Sequence, residues 1–156
     1  MDEDKRSIRE KIRRNPNDAE THKNLGYALW KLGRYREAEN EYREGISLDP
    51  NNADLHYRLG ELLMALESQF AEAEKEFRQS LRINKNNMQV RYILARLLEI
   101  QERYDEAMIE YIEIIRINPN DADTHMRLGV LLENQGRYDE ADRELEESYR
   151  LRRNLK

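Results

Sequence analysis

Apolar and small residues recur along this chain with a period of 34 or 35 residues. A leucine followed by glycine or alanine marks each copy, with steps of 34, 35 and 34 residues, at Leu25, Leu59, Leu94 and Leu128. An alanine keeps the same period at Ala38, Ala73, Ala107 and Ala141. A unit of this length cannot bury its apolar face alone, so the copies are expected to stack into one continuous core.

Each copy predicts two helices joined by a short turn. In the first copy, apolar residues lie at helical spacing from Leu25 to Leu32, and Gly33 then supplies a typical helix C-terminus. A second amphipathic stretch follows from Tyr35 to Ile46. A cluster of proline and asparagine at 49–52 closes the copy, because proline and asparagine favour turns over helix.

These residues resemble the tetratricopeptide repeat family, whose pattern is roughly W-x2-L-G-x2-Y…A-x3-F…P over 34 residues. Counted from the start of each copy, the leucine and glycine fall at positions seven and eight and the alanine at twenty. The aromatic position four residues later holds Tyr42, Phe77, Tyr111 and Leu145. The tryptophan of the family is replaced by His22, His56, Arg91 and His125. The second copy carries one extra residue between Leu66 and Phe70.

The resemblance implies an all-α fold class, a right-handed α-solenoid of antiparallel helix pairs. We expect one domain over residues 1–156, with an N-terminal capping helix and turn at 1–18. The repeats are expected at 19–52, 53–87, 88–121 and 122–155. We call the two helices of each repeat its first helix and its second helix.

Composition excludes several function classes. The 156 residues are 38% hydrophobic and 38% charged, with a net charge of −5 and both signs interspersed, which disfavours nucleic-acid binding. No apolar run approaches the ~20 residues of a membrane span, and no secretory signal is visible. There is no cysteine, so disulfides and thiolate metal sites are excluded, and a cytoplasmic location is expected.

Neither the histidines nor the carboxylates predict catalysis. His22, His56 and His125 occupy equivalent first-helix positions, at least a helix diameter of ~10 Å apart, so they cannot share one metal ion. A structural role in place of the family tryptophan is therefore expected. Glu72, Glu74 and Glu76 are expected on a solvated outer face. With no phosphate loop, zinc motif or nucleophile elbow, the chain is predicted not to be an enzyme and to need no cofactor.

The resemblance further implies that the first helices line a concave groove that holds an extended or helical peptide. The residues expected to contact a partner there are Lys23, Tyr27, Trp30, Tyr57, Arg58, Glu61, Met64, Tyr92, Arg96, Met126, Arg127 and Val130. Aromatic residues and methionine suit interface centres, and arginine can fork onto a carboxylate. Tyr57 and Tyr92 could equally pack against the neighbouring repeat. The charges are mixed, so no strongly charged ligand is expected.

One binding mode of the family is disfavoured. The clamp that holds acidic chaperone tails needs five basic and amide residues at set positions; Lys23 matches, but the other four positions hold Tyr27, Arg58, Gln89 and Ile93. The favoured interpretation is a scaffold that binds a protein or peptide. Two alternatives stay open: self-association through an uncapped C-terminal edge that includes Leu128, Leu145, Tyr149 and Leu151, and a regulatory segment of a larger protein.

Overall fold

The computed structural model describes residues 18–66 and 69–154, and every regular element in them is an α-helix. In chain order the helices are α1 (Ala19–Lys31), α2 (Tyr35–Leu48), α3 (Ala53–Ala65), α4 (Phe70–Ile83), α5 (Met88–Ile100), α6 (Tyr104–Ile117), α7 (Ala122–Asn134) and α8 (Tyr138–Asn154). The all-α fold class is confirmed. The expected N-terminal capping helix falls outside the described residues.

The helices belong to two compact units that divide between Lys85 and Asn86. In the N-terminal unit, α1 packs along α2 and α3 along α4, while α3 also contacts α1 and α2. In the C-terminal unit, α5 packs along α6, α7 packs along α8, and α6 contacts α7. Each first helix thus forms a hairpin with its own second helix. The odd-numbered helices are the first helices on which the partner-contact residues were predicted.

Close packing within each hairpin explains why position eight is small. A Cβ added to Gly60 would lie 2.7 Å from the ring of Phe77, and one added to Gly26 would lie 2.5 Å from the ring of Tyr42. Gly129 meets Leu145 in the same way, at 2.7 Å. Leucine therefore takes the place of the aromatic ring in the fourth repeat, as the sequence pattern predicted.

The turns between paired helices require a left-handed residue. Gly33 follows α1 with φ 72° and Gly136 follows α7 with φ 74°, which confirms the predicted role of Gly33. In the third repeat the same place is taken by Glu102, with φ 59°. A side chain in this region is unfavourable relative to glycine, so the third repeat carries local backbone strain.

The turns between repeats supply N-terminal caps for the first helices. The side chain of Asn52 accepts a hydrogen bond from the backbone N–H of Leu55 at 3.1 Å, which caps α3. Asp18, Asn87 and Asp121 cap α1, α5 and α7 in the same way. The asparagine and aspartate residues of the breaker clusters therefore begin the next helix as well as ending the previous repeat.

The C-terminal edge is more completely covered than the sequence suggested. Leu128 and Leu151 are buried, with 3% and 8% of their surface exposed, and Leu145 is half-buried. Tyr149 is 57% exposed. The expectation of an uncovered apolar edge is therefore wrong for Leu128 and Leu151. Both lie inside the packing of α7 against α8, which buries them without a further helix.

Candidate functional site

The N-terminal unit brings together aromatic residues of its two first helices. On α1, Tyr27 is 41% exposed and contacts Trp30 edge to face, with ring centroids 6.2 Å apart. The Arg58 guanidinium of α3 lies over Tyr27 at 5.4 Å and over Tyr57 at 5.2 Å. Cation–π contacts of this kind hold a guanidinium in place. These four predicted residues therefore form one cluster, which we call the aromatic cluster.

The members of the aromatic cluster differ in accessibility. Tyr57 is only 5% exposed, and its ring packs against Phe77 with centroids 6.4 Å apart. Its hydroxyl donates to Glu61 Oε1 at 2.5 Å. Tyr57 therefore forms the floor of the cluster, which favours the packing role that the sequence left open. Met64, further along α3, is half-buried.

Carboxylates neutralise the cations beside the aromatic cluster. Lys23 Nζ lies 2.8 Å from both Glu20 Oε2 and Asp54 Oδ2. Burial lowers the pKa of Lys23, but hydrogen bonds to Asp54 and Glu20 outweigh it and leave the pKa above its ordinary value. Arg58 pairs with Glu61 at 3.2 Å and with Asp54 at 3.5 Å. These two cations are thus ordered and charge-balanced within the unit, whereas a third, Lys31, lies over the Tyr27 ring at 5.4 Å.

Tyr42 lies beneath this surface with an unsatisfied hydroxyl. The residue is fully buried, and within the described part of the chain its Oη has no hydrogen-bond partner. Burial raises the pKa of Tyr42 above its ordinary value. In the third repeat the equivalent Tyr111 donates to Glu99. The first repeat has Trp30 where the third has Glu99, so the acceptor is missing.

The C-terminal unit forms a cleft between its two first helices. It has a volume of about 380 Å³ and is lined by Tyr92, Asp123, Met126, Arg127, Val130 and Arg152. Tyr92 packs edge to face on Tyr111, with centroids 5.9 Å apart. The Arg127 guanidinium lies close to the Tyr92 hydroxyl. Four of the five partner-contact residues predicted for this unit therefore meet at one place.

Arg152 is a lining residue that the sequence analysis missed. It comes from α8, a second helix, and its guanidinium lies 2.8 Å from Asp123 Oδ1 of α7. The prediction considered first helices alone, and no signal in the repeat pattern places a second-helix residue beside this cleft. Arg96, the fifth residue predicted for this unit, is half-buried on α5, close enough to Tyr111 to influence its hydroxyl.

The histidines hold first and second helices together. His56 Nδ1 lies 2.6 Å from Glu76 Oε2, and its Nε2 lies 3.0 Å from the carbonyl oxygen of Pro50. His22 and His125 contact Glu41 and Glu144 in the same way. In the third repeat Arg91 contacts Glu110 at 2.6 Å. The structural role predicted for the histidines is confirmed.

The structure corrects the prediction for one glutamate. Glu76 was expected on a solvated face, but it is 8% exposed and bound to His56, because its position on α4 faces α3. Glu72 pairs with Arg43 and keeps 39% of its side chain exposed, as expected, whereas Glu74, paired with Arg78, is only 14% exposed. In the described part of the chain, no group of three histidine or acidic side chains is arranged to hold a metal ion.

These features define a protein built of tandem helical hairpins. Sequence profiles of the tetratricopeptide repeat match residues 67–122 and 110–143, and a TPR repeat profile matches 31–67. The chain belongs to the tetratricopeptide repeat family. No curated protein matches it in a sequence search. Within residues 18–66 and 69–154, no helix is long and apolar enough to cross a membrane.

Solved structures of MamA share the fold. One crystal structure of MamA aligns with a TM-score of 0.87 and 21% identity, over 96% of this chain and 87% of that one. MamA from Desulfovibrio magneticus RS-1, residue 41 to the end, aligns with a TM-score of 0.83 and 21% identity, over 96% and 84%. At this identity the likeness extends to the α-solenoid fold and no further.

Proposed function

We propose that this protein is a non-catalytic scaffold that holds a peptide or protein segment against its first helices. The observation that carries the proposal is the aromatic cluster. Tyr27 stays exposed although Trp30 and Arg58 fix its position through ring and cation contacts. A rigid aromatic side chain loses little conformational entropy on binding, and such residues dominate interface energies.

The charged residues support the same function. Lys23 and Arg58 are already ordered by carboxylates, so binding a partner costs little further side-chain entropy at these residues. The sites predicted in both units, the single-domain organisation and the cytoplasmic location are parts of this proposal. The proposed cytoplasmic location rests on the absence of cysteine from the sequence.

Self-association is the second candidate, and Tyr149 favours it. This residue of α8 is 57% exposed, and Tyr138 at the start of the same helix is 65% exposed. The burial of Leu128 and Leu151 leaves little other apolar surface there, so the edge offers a weaker interface than expected. A regulatory segment of a larger protein would use the first-helix surface in the same manner.

A retention experiment with matched variants tests the proposal. Three proteins would be immobilised and incubated with a lysate of the source cells: the parent, the double variant Tyr27→Ala/Arg96→Glu, and Tyr149→Ala. The proteins that each one retains would be identified by mass spectrometry. Circular dichroism confirms that each variant is helical. We expect a set of proteins that the first-helix variant loses and the Tyr149 variant keeps.

Two other outcomes would change the conclusion. If the first-helix variant retains every protein that the parent retains, the first helices are not the binding surface. If the Tyr149 variant alone loses retention, and sedimentation shows a parent dimer that dissociates in this variant, self-association replaces the proposed function.

A further inference from the structure

Two arginines of the C-terminal unit differ from Lys23, Arg58 and Arg91, the ion-paired cations of the first helices. Within residues 18–66 and 69–154, neither Arg96 nor Arg127 forms an ion pair. In the same unit, Arg116 on α6, Arg150 on α8 and Arg137 just before α8 each pair with a glutamate three residues away. Arg96 and Arg127 therefore retain donors that Arg116, Arg137 and Arg150 have already used.

One carboxylate near these arginines already accepts a hydrogen bond. Glu99 lies one turn beyond Arg96 on α5, where an ion pair is usual. Its Oε1 instead accepts a hydrogen bond from the buried Tyr111 hydroxyl. Near Arg127 lie the neutral Tyr92 hydroxyl and, beyond ion-pair distance, the Glu99 carboxylate. Arg127 thus lines the cleft with a carboxylate nearby but none in ion-pair contact, while the cleft's other guanidinium, Arg152, is paired with Asp123.

Apolar surface lies beside these charges. Val130 is 43% exposed on α7, and Met126 is half-buried one turn before it. Both line the 380 Å³ cleft with Arg127. Methionine adapts its shape to irregular partners. A ligand that fills this cleft therefore meets apolar side chains and a positive charge at the same time.

We propose that this cleft binds a partner segment through an aspartate or glutamate side chain, with an apolar neighbour of that residue packed on Met126 and Val130. The inference rests on the proposed function, because it names the chemistry of the segment held by the first helices. Arg127, which lines the cleft, supplies forked donors to the carboxylate, and Arg96 offers a second guanidinium on the helix that contributes Tyr92. The sequence analysis expected no strongly charged ligand, and a single acidic side chain is compatible with that expectation.

The shape of the surface favours a side chain within a segment over a chain end. Helices α5 and α7 each have 13 residues, which corresponds to about 20 Å at the usual rise. A segment lying along them extends beyond the cleft in both directions. The N-terminal unit makes the contrast clear, because Lys23 and Arg58 there are already paired with carboxylates.

A peptide selection tests the inference directly. Random peptides displayed without a free C-terminus would be selected on the parent, on Arg96→Gln/Arg127→Gln, and on the control Arg116→Gln/Arg150→Gln, which loses the same charge from second helices. We expect peptides enriched by the parent and the control to carry an acidic residue next to an aliphatic one. The first-helix variant should lose this preference.

Affinities measured on one enriched peptide make the test quantitative. The peptide is synthesised with both ends blocked, together with its analogue in which the acid is replaced by the amide. Each lost charged hydrogen bond should weaken binding about tenfold. The amide analogue should bind the parent as weakly as the acidic peptide binds Arg96→Gln/Arg127→Gln.

The failures of the two proposals can be told apart. Enriched peptides without an acidic preference, or equal affinity for the parent and the first-helix variant, would overturn this inference and leave the proposed function standing. Binding that requires a free C-terminus would also overturn it, in favour of a terminal carboxylate. A parent that enriches no peptide at all would overturn both.

Discussion

Replacing a single hydroxyl at two equivalent positions should change stability in opposite directions. Tyr42 and Tyr111 occupy the same place in the first and third repeats, and both are fully buried. The Tyr111 hydroxyl donates to Glu99, whereas the Tyr42 hydroxyl has no partner within the described residues. Phe77 shows that the second repeat packs well with no hydroxyl there.

The magnitudes follow from the cost of an unmade hydrogen bond. A buried polar group without a partner costs about 1–3 kcal/mol, so Tyr42→Phe should stabilise its unit by about 1 kcal/mol. A hydrogen bond to a charged group contributes about 1.5–3 kcal/mol, so Tyr111→Phe should destabilise its unit by about 2 kcal/mol. The two variants should therefore differ by about 3 kcal/mol, although the chemical change is identical.

The assay must separate the two units. Trp30 is the chain's one tryptophan and contacts Tyr27 on α1, so its fluorescence reports urea unfolding of the N-terminal unit. Amide hydrogen exchange along α6 reports the unit that contains Tyr111. Tyr149→Phe serves as the control, because its ring is largely exposed and the change should stay within about 0.5 kcal/mol. Equal destabilisation by Tyr42→Phe and Tyr111→Phe would refute the reasoning.

Three further changes test other parts of the structure. Burial raises the pKa of Tyr42 and Tyr111 above the ordinary 10.0. Their contribution to the free energy of unfolding is therefore complete below about pH 10 and falls as the pH rises further. Above about pH 10, the urea midpoint of Tyr42→Phe/Tyr111→Phe should decline less than that of the parent. His56→Ala leaves Glu76 buried without its partner and should cost about 1–3 kcal/mol by urea unfolding; no measurable loss would contradict the pairing. Glu102→Gly removes a side chain at φ 59° and should raise stability by about 1 kcal/mol; a lower melting temperature would count against backbone strain.

Local and repeated features were the predictable part of this fold. The helices, the turns and the small residue at position eight follow from a residue spacing that occurs in all four repeats. One irregular repeat therefore did not obscure the pattern. Gly33 could be assigned because a left-handed helix end has a strong residue preference. Leu145 could be assigned because position twenty-four of the repeat must fill the space above Gly129.

Pairings between side chains were the unpredictable part. His56 and Glu76 are 20 residues apart and meet only because α3 packs on α4, so a period alone could not distinguish Glu76 from the other glutamates of α4. Arg152 reaches the cleft of α5 and α7 from a second helix. The Tyr42 hydroxyl has no acceptor because the first repeat has Trp30 at the position where the third repeat has Glu99. Such contacts depend on the direction of each side chain and on the residue that faces it on the paired helix. Both differ from one repeat to the next.

These differences between repeats bear directly on binding. A surface cation that already has a carboxylate partner offers a ligand little net electrostatic gain, because the new contact replaces an existing one. Lys23 and Arg58 are in that position, so the N-terminal unit is expected to recognise apolar and aromatic groups through Tyr27 and Trp30. Arg127 has the Tyr92 hydroxyl and the Glu99 carboxylate nearby, but within the described residues no carboxylate is in ion-pair contact with it. Selectivity for charge should therefore reside in the third and fourth repeats, even though basic and acidic residues occur throughout the chain.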